Sequence, residues 1–297
     1  MATASYTTIP LLSLPIALLL CITFTLLYVS SVYLSSNTRP RPGLDRNAPH
    51  VIATRVRIAS IITLLCTFLT SVLIFMITGQ GWWAVLSLMG ITHISPTTVW
   101  DTIKVLGVTG VLFIGPLAER AWEAVRWNGW RGLIPGVIGK KGRIGWVGWR
   151  NYVVAPITEE VVFRGCMVPL LMLAGVGAGR IVWTTPLVFG IAHFHHCYET
   201  ILNHPSFISM AIISSLAQFT YTTIFGWWAT FILVRTGSVW PAIAVHAMCN
   251  WIGAPAPKVS SRGWVNALYW VSLVGGAWGF YKLLWRGTES GEAMMRF

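Results

Sequence analysis

Long apolar runs separated by shorter basic loops divide the chain. The runs at 10–34, 58–78, 100–118, 152–174, 181–196, 207–234, 238–253 and 264–285 hold very few charged side chains. Most approach the ~20 residues that a helix needs to cross the hydrocarbon core of a bilayer. The fifth and seventh are short and would be shielded by neighbours or thin the bilayer locally. The uncharged patch at 82–94 is too brief to cross and is expected at the interface. The pattern therefore predicts an all-α, polytopic membrane protein with about eight transmembrane helices. One membrane-embedded domain is expected over 1–297, with its chemistry concentrated at about 150–255 and a short polar tail at 286–297. The first run lacks a basic leader and exceeds a signal-peptide core, so it is expected to be retained.

Composition supports this reading: 55% of the 297 residues are hydrophobic and 10% are charged. A soluble fold of that make-up would leave large apolar patches in water. The net charge of +12 in a soluble protein would suggest nucleic acid. Here the cations sit mainly in loops, so topology and anionic lipid headgroups explain them, and no nucleic-acid partner is expected. Loop 35–57 carries Arg39, Arg41, Arg46, Arg55 and Arg57. Loop 119–151 carries Arg120, Arg126, Arg131, Lys140, Lys141, Arg143 and Arg150, and loop 254–263 adds Lys258 and Arg262. That side is expected to face the cytosol. The tryptophan clusters at Trp82-Trp83, Trp127 and Trp130, Trp146 and Trp149, and Trp227-Trp228 read as interfacial anchors. Cys21, Cys66, Cys166, Cys197 and Cys249 show no paired spacing and read as small buried apolar residues.

Against this background the run Ala155-Pro156-Ile157-Thr158-Glu159-Glu160-Val161-Val162-Phe163-Arg164 stands out, because the chain has only 9 acidic residues and two lie here. An ionisable side chain inside a span is a functional-site hypothesis. Glu160 and Arg164 are i,i+4 on one helix face and can neutralise each other. Glu159 is turned about 100° away and is left as a free carboxylate. The fifth run ends Phe189-Gly190-Ile191-Ala192-His193-Phe194-His195-His196, and the seventh holds His246 and Asn250 at i,i+4. At ~1.5 Å per residue, Glu159, His193, His246 and Asn250 all fall roughly 5–10 Å inside the cytosolic boundary.

Three helices thus bring acid, imidazole and amide to one level, which suits a hydrolase. Glu159, aided by His193, would take a proton from water. His246 and Asn250 would hold the oxyanion. The residues leave other readings open. Glu160 and Arg164 could be a structural ion pair, and His246 and Asn250 an interhelical hydrogen-bonding pair. Two Glu and two His could bind zinc, although the arginine and the lack of H-E-x-x-H speak against it. Cys166 or Cys249 could be a nucleophile, although each is expected to face away from its neighbouring motif residue. A non-catalytic binding or transport protein is the remaining alternative. Transport would place polar residues through both membrane halves, whereas only Asp101 and Lys104, read as an interfacial pair, lie on the far side.

The motifs Glu159-Glu160-x-x-x-Arg164, Phe189-x-x-x-His193 and His246-x-x-x-Asn250 resemble those of the CPBP family of membrane endopeptidases. The fuller wording around Pro156 and around Phe189-Gly190-x-Ala192-His193-x-His195-His196 is similar to its eukaryotic branch, the type II CAAX prenyl endopeptidases (Ras and a-factor converting enzymes). The resemblance is specific over about 150–255. It implies an eight-helix protease of the endoplasmic reticulum membrane with its cavity open to the cytosol. It implies release of the last three residues of farnesylated or geranylgeranylated CAAX proteins, such as small GTPases, by a glutamate-activated water and without a metal. Carried over, Glu159 is the base, His193 its partner, and His246 and Asn250 the oxyanion site. Glu160, Arg164 and Phe189 are supporting residues.

Overall fold

A computed structural model of the protein describes residues 10–92, 94–123, 125, 145–257, 259 and 262–297. Among these the apolar runs are helical and no strand occurs. Arg126, Trp127, Trp130, Arg131, Lys140, Lys141, Arg143 and Lys258 lie outside the described residues.

The first elements are α1 (Leu14–Ser30), α2 (Pro49–Thr78) and the seven-residue α3 (Trp82–Leu88). They are followed by α4 (Pro96–Leu112) and α5 (Ile114–Glu123). A continuous helical rod, α6 (146–173), comes next. Then come α7 (Ala178–Ala192), α8 (His195–Asn203), α9 (Ile208–Thr236), α10 (Val239–Ile252) and α11 (Gly263–Gly287). The rod is central. α1 and α2 brace one side of it and α10 packs on its middle, while α7 lies along α9 and α4 lies against α10 and α11.

The molecule is apolar outside as well as inside. Val162, Phe163, Met167 and Leu170 of α6 pack with Ile232 and Leu233 of α9 and Val245 of α10. Leu19, Leu26, Leu64, Phe68, Ile213, Val271 and Trp278 point outward and are exposed. Apolar surface on this scale suits lipid tails, not water. By length and composition two helical stretches, Pro49–Thr78 and Pro205–Thr236, qualify to cross a membrane, and the bent α4–α5 pair qualifies as a third.

Several boundaries differ from the sequence expectations. The run at 100–118 is not straight: α4 ends and α5 leaves at 81°. Pro116 has no N–H to offer the Leu112 carbonyl, so the helix cannot continue through it, and Pro116 sits in the first turn of a new helix instead. The fifth run stops at Ala192, and His195 and His196 belong to a separate helix, α8. α2 starts well before residue 58, so Arg55 and Arg57 are helical and not in a loop. Asp101 and Lys104 do pair, at 2.8 Å, but Asp101 is buried. The tail is docked as well as polar. Met294 N–H donates to the Val234 carbonyl at 2.9 Å, and the Phe297 ring centroid lies 5.2 Å from that of Phe231.

The closest approach that positions the site is between α7 and α9. A Cβ on Gly226 of α9 would lie 2.7 Å from Pro186 Cβ on α7 and 3.0 Å from Arg164 Nη2. A small residue at such a crossing lets the backbones close up. Gly226→Val is expected to lower stability by about 1–3 kcal/mol through overpacking, read as a fall in the midpoint of thermal unfolding in detergent.

Candidate active site

The rod α6 is not a uniform α-helix. Ala155–Glu160 is α-helical and is flanked by two wide π-helical turns, Arg150–Val154 and Val161–Cys166. Pro156 accounts for the first, because its ring displaces the Tyr152 carbonyl and it brings no N–H to bond it. π-turns inside α-helices are frequent at functional sites. Here they frame the segment that carries Glu159 and Glu160.

Glu160 is fully buried and Arg164 is 1% exposed. Arg164 Nη1 donates to Glu160 Oε1 at 3.3 Å, as the i,i+4 spacing requires. The guanidinium also lies over the Phe189 ring, 4.4 Å from its centroid, and 5.8 Å from that of Phe225. These are cation–π contacts, which strengthen away from water. Phe189 also meets the His193 ring edge-on at 4.7 Å and the His246 ring at 6.4 Å. Its ring thus touches the guanidinium and both imidazoles.

His246 completes this network in a way the spacing did not reveal. Its Nδ1 lies 2.7 Å from Glu160 Oε1, and its Nε2 lies 3.8 Å from Glu159 Oε2. A carboxylate only accepts, so Nδ1 carries the proton and Nε2 faces the free carboxylate. Glu160 is therefore shared between Arg164 and His246, and is not paired with Arg164 alone. His193 Nδ1 lies 2.8 Å from the Phe189 carbonyl. That nitrogen too is the donor, so the neutral ring offers Nε2 as an acceptor. Asn250 Nδ2 donates to the Asn151 carbonyl at 2.9 Å. One amide proton is used there and the second remains available. His246 and Asn250 share a face as expected, but each is held by a different partner.

Glu159, His193, His246 and Asn250 all line one chamber of about 1080 Å³. Glu160 and Arg164 stand behind its wall. Cys166 is buried away from it, whereas Cys249 lines it, contrary to the expectation that it would face elsewhere. Sequence reasoning did not find Tyr28, which also lines the chamber and whose hydroxyl lies 2.8 Å from Thr158 Oγ1. Its signal was a phenol closing an otherwise apolar run. Among the described residues no three His, Cys, Asp or Glu side chains are grouped as a metal ion would need.

The chamber opens on a charged rim. Arg55 Nη2 binds Glu199 Oε1 at 3.0 Å, His196 Nδ1 lies 3.3 Å from Glu199 Oε2, and Arg46 Nη1 lies 3.8 Å from the same oxygen. The hydrogen bond from His196, and after it Arg55, holds the Glu199 pKa down at about 2, against the upward push of burial.

Comparison with known proteins follows the same residues. The model of the family described as "Type II CAAX prenyl endopeptidase Rce1-like" matches residues 141–252. The chain is 34% identical over 264 residues to the "Probable CAAX prenyl protease 2" of Schizosaccharomyces pombe, covering 85% of this chain and 87% of that one. It is 33% identical to the human "CAAX prenyl protease 2", over 80% of this chain and 70% of that one. The protein of the same name from Arabidopsis thaliana is 28% identical, over 94% of this chain and 91% of that one. No solved structure matches the chain.

Two outcomes follow from the charges. Arg164→Ala leaves Glu160 buried with its charge uncompensated and is expected to cost about 3–5 kcal/mol, read by chemical or thermal unfolding. The Glu199 pKa is depressed in the folded protein. Its contribution is therefore complete above the ordinary carboxylate value of 4.5 and fades as pH falls toward about 2. Glu199→Gln is expected to lower stability at neutral pH and to flatten the acid limb of the stability–pH curve in that window.

Proposed function

The chain belongs to the family of type II CAAX prenyl endopeptidases, and from that premise we propose that it hydrolyses the bond before the C-terminal aaX tripeptide of prenylated CAAX proteins. The observation that carries this reading is the single chamber into which Glu159, His193, His246 and Asn250 all open, with Glu160 and Arg164 sealed behind it.

In this reading a water lies between Glu159 and the Nε2 of His193. Glu159 takes its proton, and the hydroxide attacks the scissile carbonyl. The carbonyl oxygen becomes an oxyanion that accepts from the second amide proton of Asn250 and from His246 Nε2 when that atom is protonated. Fixed donors of this kind, aimed where charge develops, are commonly the largest catalytic contribution. Glu160 holds His246 by Nδ1, so the ring cannot turn away. The proton on Glu159 then passes to the leaving nitrogen as the C–N bond breaks, leaving a carboxylate on the prenylcysteine and a free tripeptide.

No zinc takes part in this scheme: Glu160 Oε1 is engaged by Arg164 and His246, and the side chain is buried behind the chamber wall. About eight helical segments would cross the membrane, that of the endoplasmic reticulum, with the arginine rim on the cytosolic side in keeping with the preference of cations for that face. The apolar wall around Phe163, Val182, Ile224 and Phe225 would accept a farnesyl or geranylgeranyl chain. Small GTPases would be among the substrates.

The test is cleavage of a farnesylated CAAX peptide by the purified protein. Glu159→Ala and His193→Ala are expected to lower kcat/KM by roughly 10²–10⁴-fold, and Asn250→Ala by roughly 10²–10³-fold. Activity should survive a strong chelator. Full activity of Glu159→Ala would reject the mechanism, and loss of activity on chelation with recovery on zinc would replace it with a metal-dependent one.

A further inference from the structure

Arg46, Arg55 and Arg150 line the same chamber as Glu159. Among the described residues one carboxylate, Glu199, pairs with these guanidinium groups, reaching Arg55 and Arg46 but not Arg150. His195 and His196 also face the rim and add no negative charge. Among the described residues Arg150 binds neutral acceptors alone: Nε donates to Asn151 Oδ1 at 2.8 Å, Nη2 to Asn47 Oδ1 at 3.2 Å and Nη1 to the Arg46 carbonyl at 3.3 Å. Arg55 Nε is buried and has no hydrogen-bond partner among the described residues. Burial first, and then the charges of Arg46 and Arg55, push the Arg150 pKa below its ordinary value. This end of the chamber holds excess cations and unspent donors, which is the condition for binding an anion.

Distance indicates which anion. Arg150 and Glu159 lie on one rod, nine residues apart, or about 13 Å along the axis at ~1.5 Å per residue. Three extended residues span about 10 Å. A peptide whose scissile carbonyl sits at Glu159 therefore brings its chain end within about 3 Å of the level of Arg150 when three residues follow the cut, a gap that the long arginine side chain covers. The two ends are also wired together, because Asn151, which accepts from Arg150, offers its carbonyl to Asn250.

We infer that Arg150, with Arg46 and Arg55, binds the free α-carboxylate of the substrate and so sets the cut three residues from the chain end. The inference rests on the hydrolase reading and adds to it a determinant of specificity. Arginine suits the role because its planar fork matches a carboxylate with two parallel hydrogen bonds.

The experiment compares two farnesylated peptides of one sequence, one ending in a free carboxylate and one in a carboxamide. The full-length protein is assayed in phosphatidylcholine vesicles. Wild type is expected to favour the acid by roughly ten- to a hundredfold in kcat/KM, chiefly through KM. Arg150→Ala and Arg46→Ala are expected to bring the acid-to-amide ratio toward one, and Arg150→Lys to leave it intermediate. Because the readout is a ratio within each variant, partial loss of folded protein does not affect it. An unchanged ratio in Arg150→Ala overturns the inference. So does a defect that appears only when phosphatidylserine is added, which would assign the rim to lipid headgroups. Equal cleavage of both peptides by wild type, with Glu159→Ala inactive on both, removes the carboxylate site and leaves the hydrolase reading standing. Cleavage of neither by wild type removes both.

Discussion

The architecture depends on a single buried oxygen. Glu160 Oε1 accepts from Arg164 on its own rod and from His246 on α10. Withdrawing a carboxylate and a guanidinium from water costs several kcal/mol each unless they find one another and their remaining bonds are met. Both are as buried as any leucine here, so the helices must meet where those bonds can form. That requirement fixes the height of α10 against the rod and the face that it turns inward. Phe189 then closes the arrangement from α7 by covering the guanidinium with its ring.

Polarity along the chamber is graded. Behind the wall lie charges with fixed partners. At the wall stand the free carboxylate Glu159 and two groups with one atom committed and one open: His193 with Nδ1 tied to the Phe189 carbonyl, and Asn250 with one proton tied to Asn151. At the mouth the arginines outnumber their counter-charges. An active site needs this combination, because an open atom is useful only if the rest of its side chain cannot rotate.

Much of this was legible in the sequence, and the reasons are local. The i,i+4 spacing of Glu160 and Arg164 already favours their pairing, and the motif positions on three apolar runs already group Glu159, His193, His246 and Asn250, which line one chamber. The bend after Leu112 was equally open to reading, since Gly115-Pro116 lies inside the run, but hydropathy alone carries the run straight through. The His246–Glu160 contact could not be read. The residues lie 86 apart, and no periodicity links helices that meet only in three dimensions. Nor could the rim, because Arg46, Arg55 and Arg150 come from two separate stretches of chain that look like ordinary cytosolic charge.

The wide turns on either side of Ala155–Glu160 bear on how this rod tolerates changes in length. Each holds more residues than an α-turn of the same height. Deleting one residue from Asn151–Val154 would remove the surplus residue and let the turn close as an α-turn, so the segments on either side keep their facing. A deletion within Val161–Phe163 would bring Glu160 and Arg164 to i,i+3, a spacing that still keeps them on one face. The rod can therefore shorten by a residue at either wide turn while the chamber side chains hold their direction, a tolerance that a uniform α-helix lacks.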